Sequence, residues 1–382
     1  MTHAQQRQFA LVAGEASGDL LAGLMLDGLN ARWPDMQSVG IGGPRMLERG
    51  FQTWWPQEKL AVRGYIEVLR HYAEIAGIRR KLKARLLSER PDIFIGVDAP
   101  DFNLDLEAGL RAQGVKTVHF VCPSIWAWRP GRIEKIRAAA DHVLCIFPFE
   151  PALLAEKGVS GSYVGHPLAQ VIPMEPARPA ARAQLGLPLD AQVVALLPGS
   201  RQSELRYIAP SFIAAAALMR KEDPSIRFVL PTLPALRPQA EQMLQAAGMS
   251  SEVMLLEGQS HTVLAACDTT LIASGTATLE AALFKRPMVI AYNMNSLTYR
   301  LMIGKALQPW IGLPNILCRD FVVPEFVQQE ATPQALAKAT LSWLREPEKV
   351  QALQTKFTAL HSELLRDTPT LCADAIEQVL EG

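Results

Sequence analysis

Ser274, Gly275 and Thr276 interrupt an apolar run, Leu271 to Ala273, just where a helical pattern begins. A strand that turns into a helix through hydroxyl, glycine and hydroxyl presents free N–H groups and the positive end of the helix dipole, and the glycine lets an anion approach the backbone. Such a turn can cradle phosphate, although the same residues also make an ordinary strand, serine cap and helix. Glu280, one turn further, would repel phosphate but can accept two sugar hydroxyls. The order therefore suits a whole nucleotide.

A second group follows another apolar run. Gly199 and Ser200 form a turn beside Arg201, whose planar, permanent cation can neutralise a diphosphate without a metal, unless Glu204 claims it as an ion-pair partner. Asn315, in a proline-fixed loop, adds a neutral donor and acceptor for phosphate or sugar.

Other residues suit proton transfer. Asp98 and Asp101 flank Ala99 and Pro100 after the apolar run Ile93 to Val97. Asp101 stands where a helix would begin and reads as its N-cap, which leaves Asp98 as the freer carboxylate: a general base, or the anchor of an Asx turn. Glu15 lies in a polar turn, Gly14 to Asp19, in which Ser17 or Asp19 could cap the next helix; the turn departs from GxGxxG, and Glu15 would oppose a pyrophosphate, so dinucleotide binding is disfavoured. Glu15 is the alternative base. Trp126 and Trp128, between Pro123 and Pro130, form an aromatic loop that lines an acceptor pocket or packs between domains. His119 reads as a core histidine and His166 as a hinge-loop residue able to face a cleft.

The elements that position these residues follow one rhythm. Apolar runs at Phe9–Ala13, Ser38–Ile41, Ile93–Val97, Val115–Val121 and Val143–Ile146 alternate with helical stretches, and the pattern restarts at Val193–Leu197, Ile226–Leu230, Val253–Leu256, Thr269–Ala273 and Met288–Ala291. Strands apolar throughout belong to parallel sheets covered on both faces. The sequence therefore predicts an α/β chain of two doubly wound, Rossmann-like domains facing across a cleft, with ligands at the strand C-termini. The prolines between Pro167 and Pro188 predict a linker that resists regular structure. The expected divisions are an acceptor- and membrane-facing domain over 1–168, a donor domain over 169–345, and a helical tail over 346–382 that packs back on the first domain or is exchanged in a homodimer.

Composition excludes several classes. Among 382 residues, Lys+Arg and Asp+Glu are equal at 38 each, so a general nucleic-acid binder is not indicated. The 5 cysteines are widely spaced and read as reduced core residues, and the 7 histidines form no zinc-binding spacing, so neither metal nor other cofactor is expected. An apolar signal core and a long apolar span are both missing, which predicts a cytoplasmic, non-spanning protein. Between Tyr65 and Arg85, however, apolar residues alternate with Arg79, Arg80, Lys81 and further cations; this is an ordinary amphipathic helix or one that lies on an anionic membrane. Leu297 to Leu313 is a second candidate for lipid contact.

Read in order, Glu15–Asp19, Asp98–Asn103, Pro123–Trp128, Leu197–Arg201, Ser274–Glu280, Leu313–Ile316 and Val323–Phe326 resemble the lipid-A-disaccharide synthases. Cys122 departs from the family pattern, which has serine there. The resemblance implies a GT-B glycosyltransferase that joins UDP-2,3-diacylglucosamine to 2,3-diacylglucosamine 1-phosphate at the cytoplasmic face of the inner membrane of Gram-negative bacteria. It implies an inverted, β-1,6-linked product, UDP as leaving group, and no essential metal. A UDP-sugar epimerase of the same architecture and a membrane-attached nucleotide-binding module without chemistry are the alternatives.

Overall fold

The computed structural model describes residues 7–60, 65–127, 130–294 and 307–382, with 58 and 65–72 as backbone alone. These residues form two compact units, Met1–Gln170 with Glu363–Gly382, and Val171–Ser362.

The first unit holds seven parallel strands: β1 (Gln8–Ala13), β2 (Gln37–Ile41), β3 (Gln52–Thr53), β4 (Ile93–Val97), β5 (Lys116–Phe120), β6 (His142–Cys145) and β7 (Gly161–Tyr163), in the order β3-β2-β1-β4-β5-β6-β7. The second has six: β8 (Val193–Leu197), β9 (Arg227–Thr232), β10 (Val253–Glu257), β11 (Thr269–Ala273), β12 (Met288–Tyr292) and β13 (Glu325–Val327), in the order β10-β9-β8-β11-β12-β13. Each order reverses once. The reversal falls between β1 and β4 in one sheet and between β8 and β11 in the other, and the loops that diverge there leave a crevice at the strand C-termini. β4, β8 and β11 are buried along their whole length, as helices on both faces require.

Sequence reading misses β3, β7 and β13. These are short edge or near-edge strands whose residues are exposed or half-buried, so they lack a continuous apolar signal. The proline-rich segment differs from expectation more sharply, since it contains helices Pro167–Val171 and Arg178–Leu185. Pro167 and Pro179 occupy the first turns, where a missing N–H costs nothing because no intrahelical partner exists there. The C-terminal helices run over Pro333–Arg345, Pro347–Leu364 and Thr368–Glu381. The last belongs to the first unit: it packs on helix Ala16–Arg32, where a Cβ on Gly28 would overlap the Pro369 carbonyl, and Arg32 pairs with Asp374 and Glu377. Among the described residues, no helix is long and apolar enough to cross a membrane.

Candidate active site

The β8/β11 reversal builds a cavity of about 400 Å³ within the second unit. The loop after β8 supplies Gly199, Ser200 and Arg201, and the turn after β11 supplies Ser274, Gly275 and Thr276, with Glu280 one turn inside helix Thr276–Leu283. The adjoining strands add Thr232 from β9 and Ser260 after β10, which sequence reading did not single out although the strand-end rule points to them.

Gly275 caps the helix at φ 154°, a conformation side chains disfavour, and a Cβ there would meet only open space. An anion can therefore reach the first N–H groups of the helix unobstructed. Ser274 differs from expectation: its hydroxyl donates to the Ile311 carbonyl at 2.7 Å, which leaves the backbone and the exposed Thr276 hydroxyl as donors toward the cavity. Glu280 lies 3.6 Å from His261 and remains on the cavity wall.

Arg201 does pair with Glu204, at 3.1 Å. The Glu204 carboxylate also accepts the Ser200 N–H at 2.9 Å and the Arg201 N–H at 3.1 Å, so it folds the turn, and Gly199 at φ 114° is needed because any Cβ would overlap that carboxylate. Asn315 is not on the cavity wall. It is fully buried, donating to Val323 O at 2.9 Å and Glu325 Oε1 at 2.8 Å while accepting the Val323 N–H. Glu325 in turn accepts the N–H groups of Ile311 and Gly312, both at 2.9 Å. Asn315 thus holds the segment on which the Ser274 hydroxyl rests.

At the β1/β4 reversal, the register Ala13↔Val97 sets the turns bearing Glu15 and Asp98 side by side. Asp98 and Ala99 both have positive φ, 52° and 43°, and the Asp98 N–H donates to the Phe120 carbonyl at 2.8 Å. Burial raises the Asp98 pKa, against the local N–H and His119, while Glu15 raises it further. A smaller cavity, about 140 Å³, joins Asp98 to Cys122, Ser124 and Arg132.

The caps differ from those expected. Asp101 does not cap: helix Pro100–Arg111 starts from Ala99, and Asp101 pairs with Arg132. Nor does Ser17 or Asp19 cap helix Ala16–Arg32, whose N-cap is Glu15. The buried Asp19 carboxylate instead accepts N–H groups of Gly43, Arg45 and Met46, tying down helix Pro44–Leu47, and Gln57 donates to the carbonyls of Ala13 and Glu15 to hold the turn itself.

Trp126 is anchored rather than free, its indole N–H donating to Glu150 at 3.0 Å and its ring edge-on to Phe147 and Phe149. Trp128 lies outside the described residues, as does most of Leu297–Leu313; of Tyr65 the helical backbone alone is described. Arg79 pairs with Asp105 at 3.0 Å, while Arg80 and Lys81 are exposed.

His166 is buried against Phe147, not presented on a loop surface, and burial pushes its pKa down to about 4. Burial pushes Glu150 up to about 8. Between an ordinary carboxylate value of 4.5 and about 8, native Glu150 keeps a proton that the unfolded chain has lost, so stability falls as pH rises. His166 acts oppositely between about 4 and 6.5, where the unfolded chain holds the extra proton. Glu150 is therefore the uncompensated partner of this pair above pH about 6.5. Urea unfolding should show stability declining from there to pH about 8, and Glu150→Gln should flatten the decline; an unchanged slope would assign the titration elsewhere.

The family model described as lipid-A-disaccharide synthetase matches residues 9–376. The chain belongs to that family. Lipid-A-disaccharide synthase of Albidiferax ferrireducens is 66% identical over 383 residues, covering 99% of this chain and 98% of the relative. The Burkholderia vietnamiensis enzyme of the same name is 52% identical, covering 98% and 97%. Among solved structures, UDP-GlcNAc 2-epimerase from Neisseria meningitidis, bound to UDP-GlcNAc, superposes with TM-score 0.62 at 12% identity, covering 99% of this chain and 100% of that one. The calicheamicin glycosyltransferase CalG4 gives 0.60 at 14%, covering 99% of each. Likeness at that level shows the fold alone, here the GT-B pair of Rossmann-like domains; the family separates the transferase from the epimerase.

Proposed function

We propose that this chain is an inverting glycosyltransferase that moves 2,3-diacylglucosamine from its UDP derivative to the 6-hydroxyl of 2,3-diacylglucosamine 1-phosphate. The product is a β-1,6-linked disaccharide 1-phosphate, and UDP departs. The supporting observation is the second-unit cavity, where a glycine-capped helix end, Arg201 and Glu280 share one wall. That set matches diphosphate and ribose.

Asp98 takes the proton from the acceptor's 6-hydroxyl as its oxygen bonds to the donor's anomeric carbon. The bond from that carbon to the β-phosphate oxygen breaks on the opposite face, so the configuration inverts. Arg201, the Thr276 hydroxyl and the helix N–H groups receive the charge on the departing diphosphate, in place of a metal. Glu280 accepts the ribose hydroxyls. Hydrogen bonds to a charged group contribute about 1.5–3 kcal/mol, so Glu280→Gln should weaken UDP binding by about tenfold or more, while pyrophosphate, relieved of the carboxylate's repulsion, should bind as well or more tightly. Equal losses for both ligands would remove Glu280 from the ribose.

Acyl chains require the protein to work at a membrane, and Arg80 and Lys81 on helix Tyr65–Glu89 support docking on an anionic inner surface. Arg79, engaged with Asp105, contributes less.

The test is to incubate the protein with the UDP sugar, with and without the monosaccharide phosphate. Acceptor-dependent UDP release supports transfer. Interconversion of the donor sugar without acceptor would favour an epimerase, and binding without turnover a nucleotide-binding module.

A further inference from the structure

Beneath the Asp98 loop, three buried polar atoms have no hydrogen-bond partner among the described residues: Asn103 Oδ1, Glu107 Oε2 and His119 Nε2. They belong to one cluster. Asn103 and Glu107, one turn apart on helix Pro100–Arg111, face β4 at Gly96, where an added Cβ would overlap Glu107 Oε1. His119 sits opposite Gly96 in the β4/β5 register, with Nδ1 2.7 Å from Glu107 Oε1, and all three side chains are fully buried. Burying a histidine and a glutamate costs free energy that their mutual contact and the Gly96 N–H to Glu107 offset, so the pair holds the helix, β4 and β5 together beneath the Asp98 loop.

We propose that Glu107 and His119 are positioning residues for Asp98, bracing its loop and setting its charge for the transfer step. The inference rests on Asp98 being the base. Asn103 donates to the carbonyls of Asp98 at 2.8 Å and Val97 at 3.3 Å, and the Phe120 carbonyl that receives the Asp98 N–H follows His119 directly. Two successive left-handed residues persist only where their surroundings over-determine them, and this cluster supplies that support. The 2.7 Å contact requires a proton between Nδ1 and Oε1. His119 acts on Asp98 through a medium that screens poorly, while Glu107 holds the ring by Nδ1.

The groups around Asp98 are Glu15 after β1, His119 on β5, Cys122 after β5, Asp101 on its own helix, and Arg132 from helix Arg132–Ala139. His119 lowers the Asp98 pKa against Glu15 and burial, which raise it.

His119→Gln and the isosteric Glu107→Gln test this through the pH profile of kcat. Both disturb the influence by which His119 lowers the Asp98 pKa, the first by removing the ring and the second by removing the carboxylate oxygen that holds Nδ1. The acid limb should move up by about one pH unit, lowering turnover on that limb about tenfold, while the alkaline plateau stays within about threefold and both KM values hold. Folded variants with the wild-type limb, or with a lowered plateau and an unmoved limb, would overturn the proposal. If both variants fail to fold, carboxyl ¹³C titration of Asp98 in the intact protein decides. A second inflection transmitted from the pair supports coupling, and a single uncoupled titration refutes it. Should Asp98→Asn turn over normally, the base assignment fails whatever these variants do. A dead Asp98→Asn with an unmoved limb refutes the coupling alone.

Discussion

Asp98→Asn should lower acceptor-dependent UDP release by about 10²- to 10⁴-fold with both substrates saturating, the range a positioned base contributes. Asparagine tolerates the left-handed backbone that Asp98 adopts, so the loop and its bond to Phe120 should survive and the loss should report chemistry. UDP binding, proposed above for the second-unit cavity, should stay near wild type. The wild-type rate should rise with pH through an Asp98 pKa that burial places above the ordinary carboxylate range, because the ionised form accepts the proton. The variant should lack that limb. Near-normal turnover in a coupled UDP assay would shift the role to Glu15, the carboxylate on the neighbouring strand end.

Arg201→Ala should lower kcat by about 10²- to 10³-fold, the usual consequence of removing one donor to developing negative charge. Its pair with Glu204 is the competing interaction, and magnitudes decide between them. The Arg201 side chain is 70% exposed, so that pair is a solvent-screened one worth less than about 1 kcal/mol, easily exchanged for a diphosphate. Arg201→Lys should recover part of the loss, since it keeps the charge but not the planar fork. Turnover within about threefold of wild type for the alanine variant would leave the leaving group to the helix end alone.

Central parallel strands were legible because burial on both faces makes them continuously apolar: Ile93–Val97, Val193–Leu197 and Thr269–Ala273 have the bounds the residues suggest. The same signal locates the turns at Asp98, Ser200 and Gly275, and the strand-end rule then gathers Gly199, Ser200, Arg201, Ser274, Gly275, Thr276 and Glu280, though not Asn315, around one cavity. What stayed hidden was long-range polar pairing. Asp19 looks like a local cap yet holds residues beyond 40, and Gln57 supports the Glu15 turn from a different loop. Asn315 has the composition of a ligand contact but meets Val323 and Glu325 first, and the Glu107–His119 pair arises only when β5 is laid beside helix Pro100–Arg111. No local pattern encodes such partners, because topology brings them together.

Transfer to a hydroxyl that this protein deprotonates is tested by an acceptor with hydrogen in place of the 6-hydroxyl. Product mass and UDP should be followed together with the UDP sugar and either the normal or the 6-deoxy monosaccharide phosphate. Disaccharide and UDP should form in equal amounts with the normal acceptor, and neither should form with the 6-deoxy compound. UDP release at the same rate with both acceptors would contradict it.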